Sequence, residues 1–170
     1  CRYLPPFFEH RYCIVYSRVE HCQAIEEIAH PAVREALRYL NVQRGVEIHH
    51  DAAIPARRGI GSSSTFTVGV LNALYALKGQ MVTKHRLATD GVHLEQNILK
   101  ETVGSHDQVL AAYGGLNHVV FHQNGEITVT PVTVSADPVA GGATTGEGFF
   151  SHGDTVTVTA TANSGYTFVS

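Results

Sequence analysis

Residues 45–79, GVEIHHDAAIPARRGIGSSSTFTVGVLNALYALKG, constrain this chain more than any other stretch. GVEIHH reads as a short strand that enters a glycine-rich turn. Phe66, Val70, Leu74 and Leu77 then recur at helical spacing, and Gly79 stands where a helix stops. A strand, a turn with two glycines and a helix must therefore follow one another without a linker. Gly59 and Gly61 allow positive φ and close approach of the backbone to a ligand. The free N–H groups at the start of the helix, together with its dipole, favour an anion there, phosphate above all. Ser62, Ser63 and Ser64 add hydroxyls that can donate to phosphate oxygens or ligate a hard cation such as Mg2+. No lysine follows the second glycine, as a P-loop requires. Ser64 stands where a dinucleotide fingerprint has its third Gly or Ala. Taken alone, these residues fit a phosphate site and an ordinary capped strand-to-helix turn equally well.

Elements of both kinds surround that turn. Arg11 to Glu20, RYCIVYSRVE, is rich in β-branched and aromatic residues and predicts a strand. HPAVREALRYL predicts a helix, with Pro31 in its first turn and one apolar stripe of Val33, Ala36, Leu37 and Leu40. Thr83 suits the N-cap of a helix whose apolar face is Leu87, Gly91, Leu94 and Ile98. SHDQVLAAYGG predicts a short helix closed by two glycines. NHVVFHQNGEITVTPV predicts a hairpin with Asn124–Gly125 as its two-residue turn. Composition changes near residue 132, beyond which the chain has no Lys or Arg. The alternation in DTVTVTAT predicts a strand there.

The 170 residues suit one domain with an appendage, and a hydrophobic fraction of 44% supports a core. No apolar run reaches the roughly 18–20 residues that span a bilayer. A net charge of −3 exerts no general pull on nucleic acid, so anion binding has to be local. Three cysteines without CxxC spacing indicate neither a disulfide scaffold nor a zinc site, and they fit a reducing compartment. Eleven histidines are many, but without HExxH or a Cys/His set they read as scattered surface imidazoles. The first residue is Cys, so residue 1 is expected to lie inside a longer reading frame.

HLEQNILKETVGSHDQ adds Glu95, Glu101 and Asp107. Glu95 borders the apolar face of its helix, where a carboxylate can look into a cleft. Asp107 follows the turn GSHD, where a backbone-fixed carboxylate can accept a proton. One carboxylate holding a metal and another beside a hydroxyl serve phosphoryl transfer. By spacing alone, Glu95 and Glu101 read as solvated helix charges and Asp107 as an N-cap.

PARRGIGSSS, residues 55–64, resembles the P-x-x-x-G-[LI]-G-S-S-[SA] phosphate loop of the GHMP kinases. LPPFFEHRYCIVYSRVE, HPAVREAL, GVEI, SSSTFTVGVLNALYALKG and VGSHDQVLAAYGGLN are similar to the subgroup that phosphorylates D-glycero-D-manno-heptose 7-phosphate, so the resemblance spans about residues 2–132. It implies an α+β fold of the family's N-terminal-domain type, a mixed sheet with packed helices. It also implies ATP-dependent, Mg2+-assisted phosphoryl transfer to a sugar hydroxyl, with ATP and a sugar or sugar phosphate as partners, in the cytoplasm. Carried over by position, Gly59, Gly61, Ser62, Ser63 and Ser64 cradle the ATP phosphates. Ser63 and Glu95 hold Mg2+, with Glu101 the weaker candidate, and Asp107 is the catalytic base or the carboxylate that orients the hydroxyl. The backbone near Gly114 and Gly115 closes that segment.

The family's R-x-P-L-R-[IV]-S-F-x-G-G-G-[ST]-D sugar motif and its C-terminal domain have no counterpart here, and His106 stands where Gln is common. An incomplete kinase domain over 1–132, weak or inactive by itself, is therefore expected. Residues 133–170 form a short β-rich tail that resembles part of an internalin-type B-repeat. The alternatives are a non-catalytic fragment that keeps a nucleotide or phosphate site, a bacterial surface or adhesion protein judged from the tail, and fucose or another hexose as substrate.

Overall fold

The computed structural model describes residues 1–51, 61–132, 139–145 and 157–167. The chain divides into two compact units, Cys1–Tyr113 and Gly114–Ser170. The first is α+β. Its sheet comprises β1 (Arg2–Tyr3), β2 (Tyr12–Val15), β3 (Val19–Cys22) and β4 (Val46–His49), in the order β1–β4–β2–β3. β2 runs parallel to β4 and antiparallel to β3, and β1 runs antiparallel to β4, so the sheet is mixed.

The strand expected over Arg11 to Glu20 is two strands. Val15 pairs with Val19 across a tight reversal in which the Tyr16 N–H donates to the Arg18 carbonyl at 2.8 Å. The β-branched residues on both sides of Ser17 hid the turn, because each strand contributes its own run of strand formers. Side chains then alternate. Tyr12, Ile14, Cys22, Val46 and Ile48 join the core on one face. Arg2, Glu47, Cys13 and His21 form a row across all four strands on the other.

Helix α1 (Pro31–Tyr39) links β3 to β4 and buries Ala32, Val33, Ala36 and Leu37 on the expected stripe. Helix α2 (Ser62–Leu77) buries more than one stripe, with Ser64, Thr67, Val68, Val70, Leu71, Leu74 and Tyr75 all inside. It runs through the middle of the unit, and Leu71 and Leu74 each contribute about 1.5–3 kcal/mol by burial. Gly79, at φ +72, ends it as predicted. Helix α3 (Lys84–Val92) begins where Thr83 accepts the Arg86 N–H at 3.1 Å, and it continues directly into a π-helical turn, His93–Ile98. Helix α4 (His106–Tyr113) follows and ends at Gly114 and Gly115, both at positive φ. Gly91 lets α3 approach closely, since a Cβ there would lie 3.0 Å from Val68 Cγ2 and 3.6 Å from Gln108 Cβ.

Asp90 fastens three helices. Its carboxylate accepts the Tyr39 hydroxyl at 2.8 Å, the Tyr75 hydroxyl at 2.6 Å and the Arg86 guanidinium at 2.7 Å. Burial, then the bond to Asp90, pushes the Tyr75 phenol up to about 12. Tyr39, Arg86 and Asp90, with Thr89 and His93, line a cavity of about 270 Å³.

In the second unit, β5 (Asn117–Phe121) and β6 (Ile127–Pro131) form the expected hairpin. Its loop is longer by one residue than predicted. The His122 N–H donates to the Glu126 carbonyl at 2.9 Å and the Gly125 N–H to the His122 carbonyl at 3.0 Å, leaving three residues between. Gly125 takes φ +86, as the last residue of such a loop must. β7 (Gly142–Thr145) pairs antiparallel with β8 (Thr159–Ala162). Thr159–Ala162 overlaps the strand expected from DTVTVTAT, whose start at Asp154–Val156 lies outside the described residues. Composition places a boundary after residue 132, while contacts group the β5–β6 hairpin with the second unit.

Replacing Asp90 with Ala leaves two tyrosine hydroxyls without their acceptor inside the helix junction. We expect a loss on the order of 3 kcal/mol in urea unfolding and a smaller loss for Asp90→Asn. Equal stability of Asp90→Ala and wild type would contradict the role given to this residue.

Candidate functional site

Helix α2 starts at Gly61, which takes φ +70. The first backbone bond of the helix runs from the Thr65 N–H to the Gly61 carbonyl, 2.9 Å. The amides of Ser62, Ser63 and Ser64 therefore have no acceptor within the helix. Gly59 and the rest of PARRGI lie outside the described residues.

Gly61 is needed for two reasons. Its left-handed backbone suits glycine, and a Cβ there would meet Asp107, 2.8 Å from Cγ and 3.0 and 3.1 Å from the two carboxylate oxygens. The Asp107 carboxylate thus sits against the N-cap of α2, at the positive end of that helix dipole. It lies in the first turn of α4, half exposed, with His106 Nδ1 3.4 Å from Oδ1.

Glu95 is buried completely, in the π-helical turn. The solvated reading of this residue does not hold, because the wide turn directs it inward beside Leu94. Its Oε2 accepts the Ser64 hydroxyl at 2.7 Å and the Gln108 amide. The same amide reaches Ser64 Oγ at 3.2 Å. Ser64, Glu95 and Gln108 come from α2, the π-turn and α4, and their contacts lock the three together. Ser64 is the serine that meets Glu95, whereas Ser63 is exposed and Ser62 half-buried. The Glu101 N–H donates to the Glu95 carbonyl at 2.9 Å. Partial burial, then the charge of Glu95, pushes the Glu101 carboxyl up.

Several buried oxygens here have no hydrogen-bond partner: Glu95 Oε1, Gln108 Oε1 and Thr67 Oγ1. Thr67 lies one turn along α2 from Ser64, on the same side. A buried carboxylate oxygen without a partner is a donor of the type that a hard cation such as Mg2+ takes. The residues present therefore fit that ion.

Gln108 and Thr67 escaped the sequence reading. Gln108 was visible only as the residue after Asp107, three and four positions before Ala111 and Ala112, which pack on the core. Beside this site, His30 packs on Tyr16 and Phe66, each 4.9 Å between ring centroids, and His50 lies 4.5 Å from Phe66. The His30 Nδ1 is buried without a partner. Burial lowers its pKa below the ordinary 6.5, and His50 lowers it further, against the opposing charge of Glu20.

Residues 24–115 match the family model for the GHMP kinases N terminal domain, and residues 132–170 match that for the Divergent InlB B-repeat domain. A D-glycero-alpha-D-manno-heptose 7-phosphate kinase of Campylobacter jejuni is 29% identical over 87 residues, which are 51% of this chain and 26% of that protein. A crystal structure of a D-glycero-D-manno-heptose 1-phosphate kinase from Bacteriodes thetaiotaomicron superposes with a TM-score of 0.66 at 20% identity, over 73% of this chain and 44% of that one. A mevalonate kinase structure does so with a TM-score of 0.54 at 19% identity, over 72% and 42%. The chain thus spans less than half the length of each of these relatives. Among the described residues no helix is long and apolar enough to cross a membrane.

Two outcomes follow from the packing. Gly61→Ala is expected to cost about 1–2 kcal/mol through its backbone alone, and more through the clash with Asp107. In an Asp107→Ala background the second part disappears, so a double-mutant cycle in urea reads the contact, and an unchanged cost would refute it. The second outcome concerns His30. As pH falls through 6.5 the unfolded chain takes up a proton that the folded His30 still refuses, so stability is full above 6.5 and declines below it. Urea midpoints at about pH 7.5 and 5.5 should differ more in wild type than in His30→Phe; an identical difference would exclude His30 as a source.

Proposed function

Since this chain belongs to the GHMP kinase family, we propose that it binds MgATP at the start of α2 and serves transfer of the γ-phosphoryl group to a hydroxyl of a sugar phosphate, of the heptose 7-phosphate class, in the cytoplasm. One observation carries this reading. A buried Glu95 with a carboxylate oxygen that has no hydrogen-bond partner and an Asp107 pressed against Gly61 flank the same helix start, whose serine amides have no acceptor within the helix.

Gly59, Gly61 and the amides and hydroxyls of Ser62, Ser63 and Ser64 hold the phosphates, as unpaired N–H groups at a helix start hold anions. Glu95 and Ser63 hold Mg2+, with Ser64 and Gln108 fixing the Glu95 carboxylate from the side, and Glu101 is the weaker ligand. Bound there, Mg2+ supplies charge neutralisation on the phosphate oxygens. Asp107 orients the sugar hydroxyl and accepts its proton as the oxygen bonds to the γ-phosphorus and the bond to ADP breaks. The glycine at position 61 keeps this carboxylate close to the phosphates. We assign residues 1–132 to the kinase portion and 133–170 to the repeat-like tail. A second reading is nucleotide or phosphate binding without turnover, since catalysis needs both reactants positioned together.

Calorimetry of the 170-residue chain with ATP and Mg2+ tests the binding, and ADP release with heptose 7-phosphate tests the transfer. We expect MgATP binding that weakens in Glu95→Gln and persists in Asp107→Asn. Any turnover should fall about 10²–10⁴-fold in Asp107→Asn. Binding without turnover selects the second reading, and a folded chain that does not bind MgATP overturns both.

A further inference from the structure

The row of side chains on the outer face of the sheet contains a second cluster of ligating groups, apart from the kinase site. Cys13 on β2 stands directly opposite His21 on β3. His10, two residues before β2, folds back so that its ring stacks on His21, with 4.1 Å between centroids and 23° between planes. One ligating atom from each of His10, Cys13 and His21 lies within 4.8 Å of the other two. Cys13 is buried, His10 half-buried and His21 exposed on the edge strand, so the cluster has a closed floor and an open mouth.

We propose that His10, Cys13 and His21 form a binding site for a thiophilic divalent cation of the zinc class. One thiolate and two imidazoles are the donors such ions prefer over hard cations. A tetrahedral ion with these ligands needs donor-to-donor separations of about 3.3–3.8 Å. Rotation of the His10 and His21 rings out of their stack would bring the three donors, now within 4.8 Å of one another, into that range. All three cysteines are free thiols, so Cys13 is available as a ligand. Binding forms the metal–sulfur bond and releases the thiol proton to solvent. Glu47, opposite Cys13 on β4, is engaged by Arg2 at 2.6 Å and by His49. The fourth position therefore belongs to water or an external ligand. The spacing, His-x2-Cys-x7-His, is no recognised zinc motif. The β2–β3 register creates the site, which is why the chain read as a line showed only scattered imidazoles.

Cobalt(II) titration of the reduced full chain tests the proposal. We expect one ion per chain, with a thiolate-to-cobalt charge-transfer band and the visible bands of tetrahedral cobalt. Cys13→Ser should abolish the charge-transfer band. His10→Ala and His21→Ala should each weaken binding at least about tenfold, since even partners outside the ligand set are worth that much. Cys1→Ser and Cys22→Ser should leave the spectrum unchanged, because Cys1 lies outside the cluster and Cys22 faces the core. Circular dichroism separates loss of the site from loss of the fold, and the His10 and His21 variants decide the matter if Cys13→Ser does not fold. A wild-type chain without the band, a band that follows Cys1, or affinity unchanged in both histidine variants would overturn the site.

Discussion

A fully buried carboxylate organises the first unit. Glu95 can stay inside only if its charge is met by donors, since an unpaired buried carboxylate is prohibitively costly. Ser64 and Gln108 meet it on one oxygen. Each comes from a different helix, so satisfying Glu95 requires α2, the π-turn and α4 to lie in one arrangement. The π-helical geometry follows from the same demand. Opening one turn of the helix rotates Glu95 away from solvent while Leu94 remains in the core. The second oxygen has no hydrogen-bond partner, so the fold leaves part of this carboxylate unsatisfied.

Asp90 solves the opposite problem a single turn earlier. It too is buried, but every neighbour is a committed donor: two tyrosine hydroxyls and an arginine. A carboxylate saturated in this way holds helices together and has nothing left to offer a ligand. The two acids, five residues apart on one continuous helical segment, differ in how many donors the fold supplies. That difference, and not burial, separates a structural acid from a candidate ligand.

Most elements of the first unit were legible in the sequence because they rest on local signals. Pro31, Thr83 and Gly79 mark helix ends, and the stripe of α1 matches its buried face. The β2–β3 reversal was not legible, since Tyr16–Arg18 carries no glycine or proline to mark it. Of the site, the glycine turn and the identities of Glu95 and Asp107 could be picked out. The burial of Glu95 could not, because it depends on a π-turn that has no sequence signature and on Gln108, whose partners lie 13 and 44 residues away. The His10–Cys13–His21 cluster was hidden for the same reason, as strand register and not spacing assembles it.

The two carboxylates near the start of α2 differ in their surroundings in ways that match the roles proposed for them. Glu95 has no contact with solvent and is clamped by neutral donors, so its position is fixed. Those are the properties of a group that holds a cation. Asp107 is half exposed, stands on the first turn of a short helix and faces a glycine that leaves room beside it. That position suits the base role proposed for it, since the carboxylate is open to water. The glycine at position 61 is what permits the arrangement. Any other residue there strains the helix start and meets the Asp107 carboxylate.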